Sequence, residues 1–321
     1  MRHADLGMSA FVMAAVQAAP VFLDPAASAE KACRLIDEAA SQGADLVAFS
    51  ETWLPGYPRW INAPIAVGLK RELGGRYLAA SVTVPGPEID QVCAAARRAG
   101  VDVVIGVAEL DPVSRGTTYC TLVFISADGE ILGTHRKLKP TYGERFAWGE
   151  GDGSGLRVHE RPYARISGLN CWEHNMVLPG YALMAQGTQV HVAAFPGYES
   201  ASGGTRQTLL SRAFASQAAA YVLLVGGILS ADDVSDPVVR EAVATLAPLT
   251  GDSCIIDPTG EVIAGPCSGE EILFAKGSLA LVHTAKALCD VGGHYSRPDV
   301  LRLTINRAPA RRLFEIVDDA D

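Results

Sequence analysis

The sequence predicts a mixed α/β protein, and three observations support that prediction. Apolar, strand-like runs recur along the chain and alternate with Ala-rich stretches of helical periodicity. Two turn signals, Asp128-Gly and Asp257-Pro-Thr-Gly, each separate two short apolar runs and predict hairpins. Of the 321 residues, 49% are hydrophobic and 20% are charged, which is typical of a globular chain with a large core. Since no linker, charge block or repeat divides the sequence, we expect one domain over residues 1–321.

The predicted elements follow in chain order. The run Met8–Pro20 is similar to a secretory signal, but Asp5 and Gln17 favour a first strand. No apolar stretch reaches the roughly 18 residues that span a bilayer. Further strands are predicted at Leu46–Phe49, Val101–Val107, Thr118–Ile125, Ile131–His135, Val190–Phe195, Tyr221–Val225, Ser253–Ile256, Leu273–Phe274 and Leu279–Val282. Helices are predicted at Ala26–Ser41, Pro87–Ala99, Met176–Gln186 and Arg206–Ala220.

Charge and composition disfavour several classes of function. The net charge is −9 and the basic residues are scattered, which disfavours nucleic-acid and anionic-membrane binding. Seven cysteines form no Cys-x-x-Cys pair, so we expect free thiols and a cytoplasmic location. Neither a His-Glu-x-x-His metal motif nor a Gly-x-Gly-x-x-Gly loop is present, so neither a metal nor a cofactor is predicted.

Cys171 is the most informative residue of the chain. It ends a strand-like run that starts at Ile166 and precedes the predicted helix Met176–Gln186. At such a strand-to-helix elbow, N–H groups with partial positive charge favour a thiolate and stabilise a developing anion. Because cysteine is also a common core residue, the thiol is a candidate nucleophile only if a base lies nearby.

Three charged residues lie where other predicted elements end. Glu51 and Lys137 each follow a predicted strand, and Glu144 comes seven residues after Lys137. Singly, each has an ordinary explanation: a capping or solvent carboxylate for Glu51, a basic surface run for Lys137, and an arginine partner for Glu144. Together with Cys171 they form a Glu-Lys-Glu-Cys set at element ends, where α/β folds place their sites.

The order and local sequence of this set resemble the nitrilase superfamily, and within it the true nitrilases. The resemblance covers almost the whole chain. It implies a four-layer α-β-β-α sandwich, and homodimers that extend into higher oligomers or spirals. The matching segments are Glu51-Thr-Trp-Leu-Pro-Gly-Tyr-Pro, Arg136-Lys-Leu-Lys-Pro-Thr, Cys171-Trp-Glu and Gly292-Gly-His-Tyr-Ser-Arg-Pro-Asp.

The resemblance implies hydrolysis of a small-molecule nitrile by water. Cys171 would attack the nitrile carbon, and Glu51 would act as general base and then as general acid. Lys137 and the backbone N–H of Trp172 would stabilise negative charge, and Glu144 would orient the lysine or the substrate. Burial against neighbouring aromatic residues (Phe49, Trp53, Tyr57) would raise the pKa of Glu51 toward the working pH.

The resemblance also implies a substrate pocket beside the thiol. Its predicted residues are Tyr57, Trp172, Phe195 and Pro196. The three aromatic ones favour an arylacetonitrile over a nitrile attached directly to a ring, and an aliphatic nitrile or cyanide is the alternative if they narrow the pocket instead. Trp60 and Trp148 are interpreted as core or interface aromatics. Glu173 is interpreted as a structural partner of a neighbouring arginine.

Other interpretations stay open on the sequence alone. An amidase, carbamoylase or cyanide dihydratase would use the same four residues, and a catalytically silent scaffold would keep them. A papain-like thiol hydrolase would need His191 or His283 as its base, and no second motif supports that pairing. The Cys-Trp-Glu-His segment resembles nitrilases that degrade arylacetonitriles or cyanide.

Overall fold

Two six-stranded β-sheets form the centre of the structure, a computed structural model that describes residues 10–198 and 205–310. The strands are β1 (Ala10–Gln17), β2 (Leu46–Ala48), β3 (Asp102–Leu110), β4 (Thr118–Ile125), β5 (Ile131–Arg136), β6 (His159–Glu160), β7 (Arg165–Asn170), β8 (Val190–Phe195), β9 (Tyr221–Gly226), β10 (Ile228–Leu229), β11 (Leu249–Thr250), β12 (Cys254–Ile256), β13 (Val262–Ala264) and β14 (Glu271–Ser278). The first sheet has the order β14-β1-β2-β3-β4-β5, and the second has the order β13-β12-β9-β8-β7-β6. Strands β1 to β3 are parallel, as are β7 to β9.

Seven α-helices lie among the described residues, and some of them cover the outer faces of the two sheets. They are α1 (Pro25–Ser41), α2 (Val67–Ala80), α3 (Pro87–Ala99), α4 (Val177–Met184), α5 (Thr205–Ala218), α6 (Pro237–Ala244) and α7 (Leu279–Leu288). Short 3-10 helices lie at Arg59–Asn62, Tyr142–Phe146, Gly153–Gly155, Cys171–Asn175 and Ala231–Asp233. Among the residues that the structure describes, no helix is long and apolar enough to cross a membrane.

The alternation of side chains along the strands produces three apolar layers between the four layers of backbone. On β3, Val103 packs toward helices α1 and α3, while Val104 packs toward the second sheet. On β9, Leu223 joins the core between the sheets, while Leu224 packs against α5. Both faces of each sheet are therefore covered, and the expected α-β-β-α sandwich is confirmed.

Several local predictions are confirmed by this architecture. The Asp128-Gly129 turn joins the antiparallel strands β4 and β5, and the Asp257-to-Gly260 turn joins β12 and β13. The N-terminal run forms β1 from Ala10 onward, in the middle of the first sheet; its first two residues lie outside the described residues.

The predicted strand Leu279–Val282 is wrong, because these residues form the first turn of α7. The Ser278 side chain accepts a hydrogen bond from the backbone N–H of Ala280 and caps that helix at the end of β14. Four apolar residues fit a strand or a helix equally well, and the cap decides between them. The sequence interpretation also missed α2, which contains Gly68, Gly74 and Gly75, and α6.

The two sheets bring the ends of parallel strands together. Glu51 follows β2 of the first sheet, and its backbone N–H donates to the carbonyl of Phe195 at the end of β8 in the second sheet (3.4 Å). Cys171 follows β7, the neighbour of β8. The site therefore lies where strand ends of both sheets meet, in line with the general placement of sites in α/β folds.

Candidate active site

A buried lysine joins two buried carboxylates at this edge. The Lys137 Nζ atom donates to Oε1 of Glu51 (2.7 Å) and to Oε2 of Glu144 (2.8 Å). The Glu51 and Lys137 side chains are 0% exposed, and that of Glu144 is 4% exposed. Two neighbouring carboxylates cannot both stay ionised in a buried site without a cation, so the Lys137 ammonium stabilises the two glutamates side by side. The partners of Glu144 are thus not Arg136 or Arg145, the arginines considered from the sequence.

The local structure fixes the positions of Lys137 and Glu144. Lys137 directly follows β5, and its backbone N–H donates to the carbonyl of Cys120 on β4 (2.7 Å). Glu144 lies in the 3-10 helix Tyr142–Phe146, and its Oε2 accepts from the N–H of Thr141, the N-cap residue (2.7 Å). Its Oε1 accepts from the Tyr57 hydroxyl (3.1 Å). Every oxygen of Glu144 therefore has a fixed donor.

Cys171 faces this pair from the second sheet. A carboxylate oxygen of Glu51, a carboxylate oxygen of Glu144 and the Sγ atom of Cys171 all lie within 4.8 Å of one another, and all three residues are buried. Cys171 has φ +46°, a left-handed conformation that is unusual for a residue with a side chain. It is the first residue of the 3-10 helix Cys171–Asn175, so the expected turn into a helix is present at that point.

Burial raises the pKa of Glu51 to about 7, although the charge of Lys137 opposes the shift. Phe49 and Trp53, which the sequence interpretation named as its apolar neighbours, are both buried. The expectation that burial brings this carboxyl near a neutral working pH is confirmed. Its Oε2 atom makes no hydrogen bond within the described residues and is buried, so this oxygen is available to take a proton.

The expectation that the elbow favours a thiolate is wrong for the resting protein. Burial raises the pKa of Cys171 well above its usual value, and this outweighs the opposing effects of Lys137 and the Trp172 backbone N–H. The 3-10 helix has only five residues, so its N-terminus contributes little positive charge. The thiol is therefore neutral until a base removes its proton.

The sequence interpretation missed Cys120, which contacts the Glu51 carboxylate directly. Its Sγ donates to Oε1 of Glu51 (3.2 Å) from strand β4, and Cys120 is 0% exposed. The sequence did contain a signal for this contact. If the residues of the two predicted strands are paired outward from the Asp128-Gly129 turn, Cys120 lies opposite Lys137. We call Glu51, Lys137, Glu144 and Cys120 the charged cluster.

Glu173 is a structural carboxylate, as expected, but its partner is not an arginine. Both its oxygens lie near Nε2 of His135 (3.1 and 3.0 Å), and they accept from the N–H of Leu138 and of Asn170 (2.8 Å each). Burial raises its pKa, but His135 and these N–H groups more than offset the effect and hold the pKa below its usual value. Since Leu138 follows Lys137 and Asn170 precedes Cys171, Glu173 ties the lysine loop to the cysteine loop.

A second polar group runs from Cys171 into the second sheet. Nδ1 of His174 lies 2.7 Å from the Cys171 carbonyl, and its Nε2 lies 3.0 Å from Nε2 of His191. His191 contacts the Ser167 hydroxyl through Nδ1 (2.8 Å), and Ser167 contacts the Thr188 hydroxyl (2.7 Å). We call His174, His191, Ser167 and Thr188 the histidine chain.

Both histidines of this chain are neutral. Burial lowers the pKa of His174 to about 4 and that of His191 well below its usual value. Because a carbonyl only accepts, neutral His174 carries its proton on Nδ1, and His191 donates to it through Nε2. Nε2 of His191 thus points to His174 rather than to the thiol, which argues against a papain-like pair.

The predicted pocket residues lie in different surroundings. Trp172 is 40% exposed and lies beneath the guanidinium of Arg206 (5.2 Å), while Tyr57 and Pro196 are half-buried. Phe195 is almost fully buried, and its ring stacks on His174 (5.3 Å between centroids). The role of these four residues in substrate binding stays a prediction. Both Trp60 and Trp148 are buried in one apolar cluster, as expected.

Comparisons with known proteins agree with this geometry. Residues 12–287 match the family described as Carbon-nitrogen hydrolase. Nitrilase 2 of an unknown prokaryotic organism is 56% identical over 95% of both chains. An aliphatic nitrilase of Rhodococcus rhodochrous is 37% identical over 92% of this chain and 83% of its own length. An arylacetonitrilase of Aspergillus oryzae is 35% identical over 96% of this chain and 94% of its own length.

Solved structures match the fold at low identity. The Nit3 protein of Saccharomyces cerevisiae, described as a member of branch 10 of the nitrilase superfamily, superimposes with a TM-score of 0.70. It shares 18% identity, and the match covers 89% of this chain and 96% of that one. The NitFhit protein of C. elegans gives a TM-score of 0.73 over 96% of this chain and 70% of its own. Such distant matches support the sandwich architecture alone.

Proposed function

Because this chain belongs to the carbon-nitrogen hydrolase family, and within it to the nitrilases, we propose that it hydrolyses an organic nitrile to a carboxylic acid and ammonia. The observation that carries the proposal is the buried convergence of Glu51, Lys137 and Glu144 beside the Cys171 thiol. A nitrile carbon is a weak electrophile, and a thiolate is the strongest nucleophile among the side chains.

In the proposed first step, Glu51 takes the thiol proton of Cys171 as the sulfur attacks the nitrile carbon. The proton then passes to the nitrogen, which gives a thioimidate. The raised pKa values of Glu51 and Cys171 support these roles of base and nucleophile. A neutral thiol needs a base, and a carboxyl of pKa about 7 serves as one at neutral pH.

In the second half, Glu51 activates water in the same way. Water adds to the C=N bond, the protonated nitrogen leaves as ammonia, and a thioester remains on Cys171. A second water releases the acid and restores the thiol. Lys137 and the Trp172 backbone N–H are proposed to stabilise the negative charge of each tetrahedral centre, at about 3–4 kcal/mol for each such donor. Glu144 is proposed to hold Lys137 in position.

For the substrate, we propose a preference for an arylacetonitrile. Tyr57 interacts electrostatically with Cys171, and Trp172, the next residue after the thiol, is 40% exposed. A methylene between ring and nitrile would let the ring stack on such an aromatic side chain while the carbon reaches sulfur. One relative carries the name arylacetonitrilase, which supports the proposal. Another carries the name aliphatic nitrilase, so a short aliphatic nitrile is the alternative to test.

A panel of substrates tests both levels of the proposal. Ammonia and acid release would be measured with phenylacetonitrile, mandelonitrile, benzonitrile, a short dinitrile, cyanide and phenylacetamide. We expect the highest kcat/KM for phenylacetonitrile. A clear lead for benzonitrile, the dinitrile or cyanide would overturn the preference, and a lead for the amide would overturn nitrile hydrolysis itself.

We further propose that the protein works as a homodimer that extends to higher oligomers. Helix α4 directly follows the 3-10 helix of Cys171 and exposes Val177 (78%) and Leu178 (63%), and α5 beside it exposes Leu209 (66%). Exposed apolar side chains of this kind support an interface. A second motive for the proposal is the acidic sequence of Arg311–Asp321, a segment that lies outside the described residues. Light scattering of the wild type and of Leu178→Lys tests the interface, and an active wild-type monomer would contradict it.

A cytoplasmic location is proposed from the thiols. All seven cysteines lie in the described residues and are free, including five that are buried. Free thiols suit a reducing compartment. Fractionation of the source cells with an activity assay tests the location, and activity outside the cytoplasm would contradict it.

A further inference from the structure

Cys120 is a buried thiol in contact with the proposed base, and the proposed chemistry gives it no part. It lies on β4, within the first sheet, and donates through Sγ to Oε1 of Glu51 (3.2 Å). Its backbone carbonyl also accepts the N–H of Lys137, so one residue contacts both members of the Glu51–Lys137 pair.

The contacts of Glu51 divide its two oxygens unequally. Oε1 accepts from Lys137 (2.7 Å) and from Cys120 (3.2 Å), which occupies it. Oε2 makes no hydrogen bond within the described residues, although it is buried. A carboxylate that accepts hydrogen bonds from two fixed donors at one oxygen cannot rotate freely, so its other oxygen keeps one orientation.

We propose that Cys120 is a positioning residue that holds Oε1 of Glu51, so that Oε2 is left to exchange protons with Cys171 and with the attacking water. This inference rests on the proposed function of Glu51 as general base. Lys137 alone would leave the carboxylate free to turn about the single Nζ contact. The second donor removes that freedom.

Cys120 stays a donor rather than a second nucleophile. Burial and the neighbouring Glu51 carboxylate raise the pKa of Cys120 well above its usual value, so it keeps its proton. A thiol proton pointed at a carboxylate favours the ionised carboxylate, as any donor to it does. Removal of Cys120 should therefore make Glu51 harder to ionise.

The other groups that face Glu51 set the background for this effect. Lys137 favours its ionised form, and Glu144 disfavours it. Three more titratable side chains interact with it electrostatically, namely Tyr57, Tyr77 and Cys171. None of these side chains is itself replaced in a Cys120 variant, and the comparison of Cys120→Ala with Cys120→Ser isolates the effect of the lost donor.

The test compares Cys120→Ala and Cys120→Ser in the full chain. The readout is the pH dependence of Cys171 alkylation by iodoacetamide, followed by mass spectrometry of the Cys171 peptide, with kcat/KM for phenylacetonitrile measured in parallel. The limb near pH 7, where ionised Glu51 takes the Cys171 proton during alkylation, reports the state of Glu51, and we expect its midpoint to rise by about half a pH unit in Cys120→Ala, as for loss of one weak donor to a charged group. Cys120→Ser keeps a hydroxyl donor, so its midpoint should stay at or below that of the wild type.

Two further variants keep the test decisive. Cys254→Ala removes another buried thiol, on β12, and should leave the midpoint unchanged. If Cys120→Ala does not fold, Cys120→Val replaces it, because valine fills the space without a donor. An unchanged midpoint in the variant without a donor, or an equal shift in Cys120→Ser, would overturn the proposal. Since alkylation needs no nitrile, a failure of the proposed function would show only in the turnover assay of the wild type.

Discussion

The charged cluster and the histidine chain meet at Cys171 and respond to burial in opposite ways. In the charged cluster, Lys137 keeps its ammonium between Glu51 and Glu144, and the pKa of Glu51 lies at about 7. In the histidine chain, the hydrogen-bond partners of His174 and His191 are neutral, and burial lowers both pKa values.

The difference shows what a buried polar group needs in order to exchange protons at neutral pH. Desolvation disfavours the charged form of every titratable group, and a fixed opposite charge nearby offsets part of that free-energy cost. Glu51 has such a charge in Lys137 and titrates near neutrality. The histidines have none in hydrogen-bond contact, so they keep one protonation state, and His174 holds the backbone carbonyl of Cys171 instead.

Cys171→Ala should abolish nitrile turnover while the protein stays folded, because it removes the only atom proposed to bond the substrate carbon. Cys171→Ser should be nearly inactive as well. Ammonia release measures the loss, and mass spectrometry of quenched wild-type reactions should detect a covalent adduct on Cys171. Activity within about tenfold of the wild type would remove Cys171 from the mechanism.

Glu51→Gln should lower kcat by about 100-fold or more, because it removes proton transfer and keeps the shape of the side chain. The wild-type kcat/KM should fall as the pH drops below about 7, where Glu51 becomes protonated and can no longer act as a base. This acid limb should be absent in the variant. Full activity of Glu51→Gln at neutral pH would transfer the role of base to another group, with Glu144 as the first candidate.

Lys137→Met should cost about 100-fold in kcat and also destabilise the fold, since Glu51 and Glu144 are left buried without a cation. We expect a loss of about 3–5 kcal/mol in the free energy of unfolding at pH 8. The loss should shrink at lower pH, because the two carboxyls then take up protons in the folded state. Urea unfolding at two pH values measures this.

The matched control is Lys139→Met, whose lysine pairs with Glu150 at the surface. Such exposed pairs contribute about 0–1 kcal/mol, so this variant should unfold almost as the wild type does. Equal losses for the two lysines would mean that the ammonium of Lys137 does not stabilise the carboxylate pair.

The strand ends that carry the site were predictable from the sequence. Glu51, Lys137 and Cys171 each follow a predicted strand, and a polar residue after a buried strand marks the edge of a sheet. The Glu-Lys-Glu-Cys set was indicated by its placement at element ends and by the resemblance of its order and local sequence to the nitrilase superfamily.

Properties that depend on tertiary packing were not predictable in this way. The pKa of Cys171 is raised because the folded core removes water from it, which a local helix argument does not reveal. The pairing of Glu173 with His135 joins residues 38 positions apart, and Cys120 acts through the register of β4 and β5. Each depends on which side chains two distant segments bring together.

His174→Ala should have the smallest effect of the four, about tenfold in kcat, because it removes only the donor that holds the Cys171 carbonyl. Its pH–rate midpoint should match that of the wild type, since His174 is neutral over the working range. His174→Asn keeps an N–H near the position of Nδ1 and should recover most of the activity. A second measurement sharpens the contrast with the charged cluster. The pKa of His174 falls from the usual 6.5 to about 4 on folding, so the unfolded chain binds more protons between these values, and stability should decline as the pH falls through that window. Each such histidine contributes about 1.4 kcal/mol per pH unit there, and His174→Asn should reduce the slope by the share of one proton. A shifted pH–rate midpoint in His174→Ala would show that His174 titrates together with the base, and an unchanged slope in His174→Asn would show that folding does not lower the pKa of His174.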